Sequence, residues 1–229
     1  MRFRAVLFDA AGTLIAPAEP VGETYARLAR EHGVALSAQR IGDGFRRVFA
    51  KAPANVFPGE PRERAAQLER AWWRARVRET ILAVDGTARF RDFDAYFAAL
   101  WDHFASGAAW RARPGAPEAL AALRAAGRRL AIVSNFDQRL APILRELDLL
   151  AHFEQIVTPL DCGAAKPDRA IFEACLARLA LPASECVYVG DHAQLDVEAS
   201  HAAGLTPIDV AELVTLAALP ARLAAMENV

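Results

Sequence analysis

The chain has 229 residues, 54% hydrophobic and 24% charged, and its 27 basic and 28 acidic side chains leave a net charge of −1. That content supplies one packed domain with an insertion, or two small ones, and excludes a disordered chain. The balanced charge speaks against nucleic acid or an anionic membrane as the main partner, and no apolar stretch comes near the roughly 18 residues of a membrane span.

Residues 3–8 read as a short buried strand that ends at Asp9 and runs into a Gly12-Thr13 turn. From Glu19 to about Ala105 the pattern is helical almost throughout. Tyr25, Leu28 and Ala29 sit at helical spacing ahead of Gly33 as a stop, and Ile41, Phe45, Val48 and Phe49 form a second stripe behind Ser37 as N-cap. Pro53, Pro58, Gly59 and Pro61 mark a loop. Helices follow over about 62–84 and 92–105, and four helices on short links predict an antiparallel bundle. After Trp110 helices and strands alternate. A helix opened by Pro114 and Pro117 stops at Gly127, and strands are expected at 130–133, 153–157, 187–189 and 206–210 with helices between them. Such alternation implies a doubly wound parallel sheet, α/β in class, covered on both faces. The expected organisation is a core of residues 1–17 and 108–229, interrupted after its first strand by a helical domain of 18–107.

In open parallel sheets, ligands sit beyond the carboxyl ends of the strands, which directs attention to Asp9, Ser134-Asn135, Lys166 and Asp191. Asp9 and Asp191 each close a strand, and Asp196 lies about one turn beyond Asp191. If both strands are central, the carboxylates converge, and like charges at such range repel by several kcal/mol at an intermediate dielectric. A proton, a cationic side chain or a metal relieves this; oxygen ligands at a water-accessible site favour Mg²⁺. Lys166 is one of only two lysines, the other being Lys51, and from the loop after a third strand it would lower the repulsion and hold an anionic substrate. Ser134 and Asn135 offer a hydroxyl and backbone amides to a phosphoryl oxygen. Together these parts fit a carboxylate nucleophile that accepts a phosphoryl group and is then released by water.

Each residue alone has an ordinary reading: an Asp after a strand turns or caps the chain, and Ser-Asn is common in turns. The functional reading rests on four such positions after four strands of one α/β pattern. Trp72, Trp73, Trp101 and Trp110 read as packing residues, and His192 as a loop or helix-start residue. Cys162, Cys175 and Cys186 form no CxxC pair, so neither a disulfide framework nor a zinc site is expected and a reducing cytoplasm is the simplest compartment.

The segments Phe-Asp-Ala-Ala-Gly-Thr-Leu (8–14), Val-Ser-Asn (133–135), Lys-Pro-Asp (166–168) and Gly-Asp followed four residues later by Asp (190–196) occur in this order. In them the chain resembles the haloacid dehalogenase-like (HAD) hydrolase superfamily, in the subfamily with a helical cap inserted after the first strand. Trp72-Trp73 with Val77-Arg78-Glu79-Thr80, and the run Ser134 to Leu140, look more closely like the branch typified by the haloacid dehalogenase-like hydrolase domain-containing protein 3 and the rhythmically expressed protein 2. The resemblance implies a Rossmann-like core and a nucleophilic Asp9, with phosphoryl contact from Ser134 and charge stabilisation by Lys166. It also implies Mg²⁺ held by Asp9, the Ala11 carbonyl and Asp191, with Asp196 as a water-linked or outer partner. The substrate would be a small phosphorylated molecule, and the helical cap would close over it.

One position departs from the resemblance. Phosphatases of this superfamily usually carry a second Asp two residues after the nucleophile, and here that residue is Ala11. General acid–base help of the kind it gives is typically worth ~10²–10⁴-fold. Three readings stay open: a specialised Mg²⁺ phosphohydrolase for good leaving groups such as aryl or acyl phosphates; a dehalogenase- or phosphonatase-like hydrolase, the latter needing a cap lysine for which only Lys51 is available; and a non-catalytic phosphate- and metal-binding protein.

Overall fold

The computed structural model describes residues 2–228. β1 (Ala5–Phe8) is buried along its whole length. Its alternate side chains enter two different cores, Val6 and Phe8 on one face and Ala5 and Leu7 on the other, as the period of two in a strand requires. The chain then turns at Gly12 into β2 (Ile15–Pro17), which pairs antiparallel with β3 (Trp110–Ala112).

Between these two short strands run α1 (Val21–Glu31), α2 (Ala38–Phe49), α3 (Arg62–Val84) and α4 (Phe93–Ala105). The side chain of Ser37 accepts from the Arg40 amide at the start of α2, and Gly33 takes φ +82° just past the end of α1. The four helices enclose a core of their own around Tyr25, Ile41, Val77, Tyr96 and Leu100.

The second part of the chain alternates: α5 (Ala116–Ala125), β4 (Arg129–Val133), α6 (Leu140–Glu146), β5 (Gln155–Val157), α7 (Pro159–Cys162), α8 (Arg169–Leu179) and β6 (Cys186–Gly190). A π-helical stretch (Ala193–Glu198) leads into α9 (Ala199–Ala202), followed by β7 (Thr206–Asp209) and α10 (Leu219–Glu227). The sheet order is β5-β4-β1-β6-β7, every pair parallel. Leu120, Ile143 and Leu223, from α5, α6 and α10, pack on one face, and Ile171, Phe172 and Ala199, from α8 and α9, on the other. This is the doubly wound parallel architecture that the alternating pattern predicts.

Because β4 and β6 lie on opposite sides of β1, the chain leaves β1 in both directions, and the crevice of such a switch point opens at the carboxyl ends of these three strands. Asp9, Ser134 and Asp191 are the residues that follow them. Four elements, β2, β3, the four-residue α7 and α10, are absent from the periodicity reading. β2 and β3 are three residues each, too short to show an alternation. α10 follows a segment without a clear period. The helix expected after Asp191 starts as a π-turn in which Asp196 and Val197 both donate backbone N–H groups to the His192 carbonyl. Among the described residues no helix is long and apolar enough to cross a membrane.

Candidate active site

The turn after β1 brings the Asp9 carboxylate to the mouth of the crevice while its amide stays in the sheet, donating to Val189 O at 2.9 Å. Asp9, Asp191 and Asp196 each present a carboxylate oxygen, and the three oxygens lie within 4.8 Å of one another. Asp9 and Asp196 are buried, whereas Asp191 opens to solvent.

Lys166 enters this acidic group from the loop between α7 and α8. Its Nζ lies 2.7 Å from Asp9 Oδ1, 2.5 Å from Asp196 Oδ1 and 2.9 Å from Tyr188 Oη. Burial works against its charge, but the two carboxylates outweigh this and hold the ammonium pKa above its ordinary value. Burial lifts the Asp9 carboxyl above the usual carboxylate range; Lys166 opposes the rise and Asp196 adds to it. Asp191 is raised by burial and by the charges of Asp9 and Asp196. One ammonium among three carboxylates leaves two negative charges uncompensated, a site that favours a further proton or a cation.

Each of these side chains is held from behind. Asn135 clamps the Lys166 backbone, accepting its N–H at 2.8 Å and donating to its carbonyl at 2.9 Å. The Asn135 side-chain amide thus sets the position of Lys166 and leaves its backbone N–H, the group the sequence offers to a phosphoryl oxygen, at the end of β4. Asp196 Oδ2 accepts from the backbone amides of Asp191 (3.1 Å) and His192 (3.0 Å), so both oxygens of Asp196 already have partners. Thr13 donates to Asp191 Oδ1 at 3.2 Å. Gly12 sits at φ +98°, where a Cβ would come within 2.3 Å of Asp191 Oδ2; only glycine fits this turn against the carboxylate. Ser134 is buried at the end of β4, its Oγ accepting from the Phe136 amide at 3.3 Å; it lies beside the Asp9 carboxylate and works against the rise of its pKa.

Hard oxygen donors of this kind suit Mg²⁺. The free side of Asp9, the exposed Asp191 and the Ala11 carbonyl, which accepts no hydrogen bond from the described residues, are the donors that could hold one. Asp196 is already engaged with Lys166 and two amides, an arrangement that suits an outer partner. Ala11 itself has no proton to give. His192 Nδ1 accepts from the Gln194 and Leu195 amides, which makes it the cap of the π-turn. Lys51 is exposed just beyond α2 and does not line the cavity described next.

Above the crevice a cavity of about 770 Å³ runs continuously from Asp9, Ser134, Lys166 and Asp191 into the helical insert. Trp72, Trp73, Trp101 and Trp110, expected as packing residues, all stand in its wall. They do both jobs: Trp72 and Trp73 meet edge to face at 5.4 Å, while Arg139, gripped by Asp137 (2.8 Å from Nε to Oδ1), lies 3.9 Å over Trp101. The insert is tied to the core by Glu69 of α3, whose carboxylate accepts from the Gln138 amide and Nε2, each at 3.1 Å. Arg62 adds an ion pair to Asp161 at 2.8 Å. Tyr188 and Glu69 are the residues sequence reasoning missed. Tyr188 carries the one signal that could have been read, a hydroxyl in an otherwise apolar strand, Cys-Val-Tyr-Val-Gly.

A parallel α/β core with an acidic cluster and a buried lysine at its switch point is the arrangement to be set beside known proteins. The chain belongs to the haloacid dehalogenase-like hydrolase family, whose model matches residues 3–204. It is similar to the haloacid dehalogenase-like hydrolase domain-containing protein 3 of Danio rerio, 35% identical over 205 residues that cover 88% of this chain and 82% of the relative. Its fold is shared with a HAD phosphatase from Thermococcus onnurineus (TM-score 0.60, 23% identity, 90% of this chain and 86% of that one). It is shared equally with a 2-haloacid dehalogenase from Pseudomonas syringae pv. Tomato (TM-score 0.63, 22% identity, 98% and 99%). Phosphatase and dehalogenase thus use one architecture, and the chemistry has to be argued from the site.

Proposed function

We propose that this protein is a Mg²⁺-dependent phosphohydrolase that acts on a small phosphorylated molecule through an aspartyl-phosphate on Asp9. The observation that carries the reading is the convergence of three carboxylate oxygens within 4.8 Å around one buried ammonium. A surplus of negative charge at a solvent-open crevice suits a divalent cation and a phosphoryl group together, whereas halide displacement has no use for it.

In this reading the free oxygen of Asp9 attacks phosphorus while Lys166 keeps the other oxygen oriented and offsets the charge of the transferring group. Ser134, beside the Asp9 carboxylate, donates to a phosphoryl oxygen, and the backbone N–H of Asn135 is available at the same strand end. Mg²⁺, held by Asp9, Asp191 and the Ala11 carbonyl, would neutralise phosphoryl charge. Asp196 keeps Lys166 and the Asp191 turn in place. The insert acts as a cap: its contacts at Glu69 and Arg62 hold it over the crevice, and its wall selects the leaving group. A small anionic substrate, rather than nucleic acid or a membrane, agrees with a net charge of −1, and a reducing cytoplasm agrees with Cys162, Cys175 and Cys186 as free thiols.

The test is a screen of phosphate esters and acyl phosphates with and without Mg²⁺, repeated on Asp9→Asn. Turnover that needs Mg²⁺ and vanishes in Asp9→Asn, with the native fold retained by circular dichroism, is expected. Turnover that survives the substitution rejects the mechanism.

A further inference from the structure

A substrate that presents its phosphoryl group to Asp9 must place its leaving group among α1–α4, because the cavity of about 770 Å³ leads there. No side chain that the insert contributes to this wall carries a charge, and its polar groups are the Asn55 amide, the Tyr25 hydroxyl and the indole N–H groups of Trp72, Trp73 and Trp101. Phe49 stands at the centre of the wall, stacked on Phe45 with ring centroids 4.0 Å apart and meeting Trp73 at 5.1 Å and Trp72 at 5.8 Å. The guanidinium nearest these rings, that of Arg139, is held by Asp137 and offers no uncompensated charge to a ligand. A sugar, a nucleoside or a carboxylated body would bury hydroxyls or charges here with few partners, which is unfavourable. A flat aromatic body loses nothing polar and gains ring contacts.

A second, independent observation concerns the leaving oxygen. Ala11, which lines the cavity two residues beyond Asp9, has no proton to give, which favours an oxygen that departs as an anion. A phenolic oxygen does so with a conjugate-acid pKa of about 10, far below that of an alkyl alcohol.

Resting on the phosphohydrolase reading, we infer that the substrate is a phosphate monoester of a phenol-type aromatic alcohol whose ring system lies against Phe49 and the Trp72-Trp73 pair. The Asp9 oxygen forms a bond to phosphorus as the bond between phosphorus and the aryl oxygen breaks. The electron pair leaves on the phenolate, which takes a proton from solvent water. A water molecule then attacks phosphorus, its proton passes to solvent, and orthophosphate departs as the Asp9 carboxylate re-forms.

The experiment compares kcat/KM of the Mg²⁺-supplied protein for 1-naphthyl phosphate, glycerol 3-phosphate and acetyl phosphate. Acetyl phosphate has a good leaving group and no ring, so it reports the Asp9 chemistry alone. The inference expects 1-naphthyl phosphate to exceed glycerol 3-phosphate by at least ~100-fold, which is about 2.7 kcal/mol. In Phe49→Ala the ratio of 1-naphthyl to acetyl phosphate should fall by about tenfold. In Ala11→Asp glycerol 3-phosphate should gain more than 1-naphthyl phosphate. Asp9-dependent turnover of acetyl phosphate with 1-naphthyl phosphate no better than glycerol 3-phosphate overturns the inference and leaves the phosphohydrolase reading standing. Absence of Asp9-dependent turnover of all three overturns both.

Discussion

Replacing Lys166 by Met keeps the length of the side chain and deletes its charge, and the geometry sets the scale of the effect. At an effective dielectric of about 20, a pair 2.7 Å apart such as Lys166 and Asp9 has a gross attraction of about 6 kcal/mol. Two carboxylate oxygens no more than 4.8 Å apart, as in Asp9 and Asp196, repel by about 3.5 kcal/mol or more on the same scale. Dehydration of the ions removes much of the gross gain, and deleting one partner of a buried pair costs about 3–5 kcal/mol net. In a chain of 229 residues that lowers the melting temperature by on the order of 10 °C. The assay is thermal unfolding without divalent cations, for Lys166→Met, Asp9→Asn and the double variant. The double variant is expected to be more stable than Lys166→Met by at least about 1 kcal/mol, because one of the stranded carboxylates is gone. Mg²⁺ should raise the melting temperature of Lys166→Met more than that of the native chain, since the site has lost its resident cation. Strictly additive substitutions, or a Lys166→Met protein as stable as the native one, would refute the electrostatic account of the site.

Two further outcomes follow from the same contacts. Burial and the nearby Asp137 push the Glu69 carboxyl up to about 7 from an ordinary value of 4.5. Between those values the folded chain holds a proton that the unfolded chain has released, so stability falls as pH rises through this window and the deficit is complete above it. Glu69→Gln keeps an acceptor for Gln138 and removes the ionisation. It should be more stabilising at pH 8 than at pH 5, by about 1–2 kcal/mol after solvent screening, and equal urea midpoints for variant and native chain at both pH values would contradict the assignment. Gly12→Ala places a methyl group where Asp191 Oδ2 stands. It should lower stability by about 1 kcal/mol and weaken Mg²⁺ binding by about tenfold in a thermal-shift titration; unchanged metal affinity would mean that Asp191 is not a ligand.

The reach of the sequence differs residue by residue. Asp9, Ser134 and Asp191 were legible because each follows a run of apolar residues short enough to be a buried strand, and parallel strands present their following residues at one edge. The partnership of Lys166 with Asp9 was legible in kind, from charge alone, but its second grip on Asp196 and Tyr188 depends on a π-turn and on the side of β6 that Tyr188 occupies. Asn135 shows the limit within a single motif: its position beside Ser134 says nothing about which way the amide turns, and the backbone of Lys166 takes both of its ends. The tryptophans show it on a larger scale. Helical periodicity reveals that Trp72 and Trp101 lie on apolar faces, but an apolar face packs or lines a cavity according to how far the opposing element stands from it. That separation is set by Glu69 meeting Gln138 and by Arg139 filling the gap beneath Trp101, contacts between residues tens of positions apart. Local order follows from neighbours along the chain, whereas the space left between two packed bodies is a property of both at once.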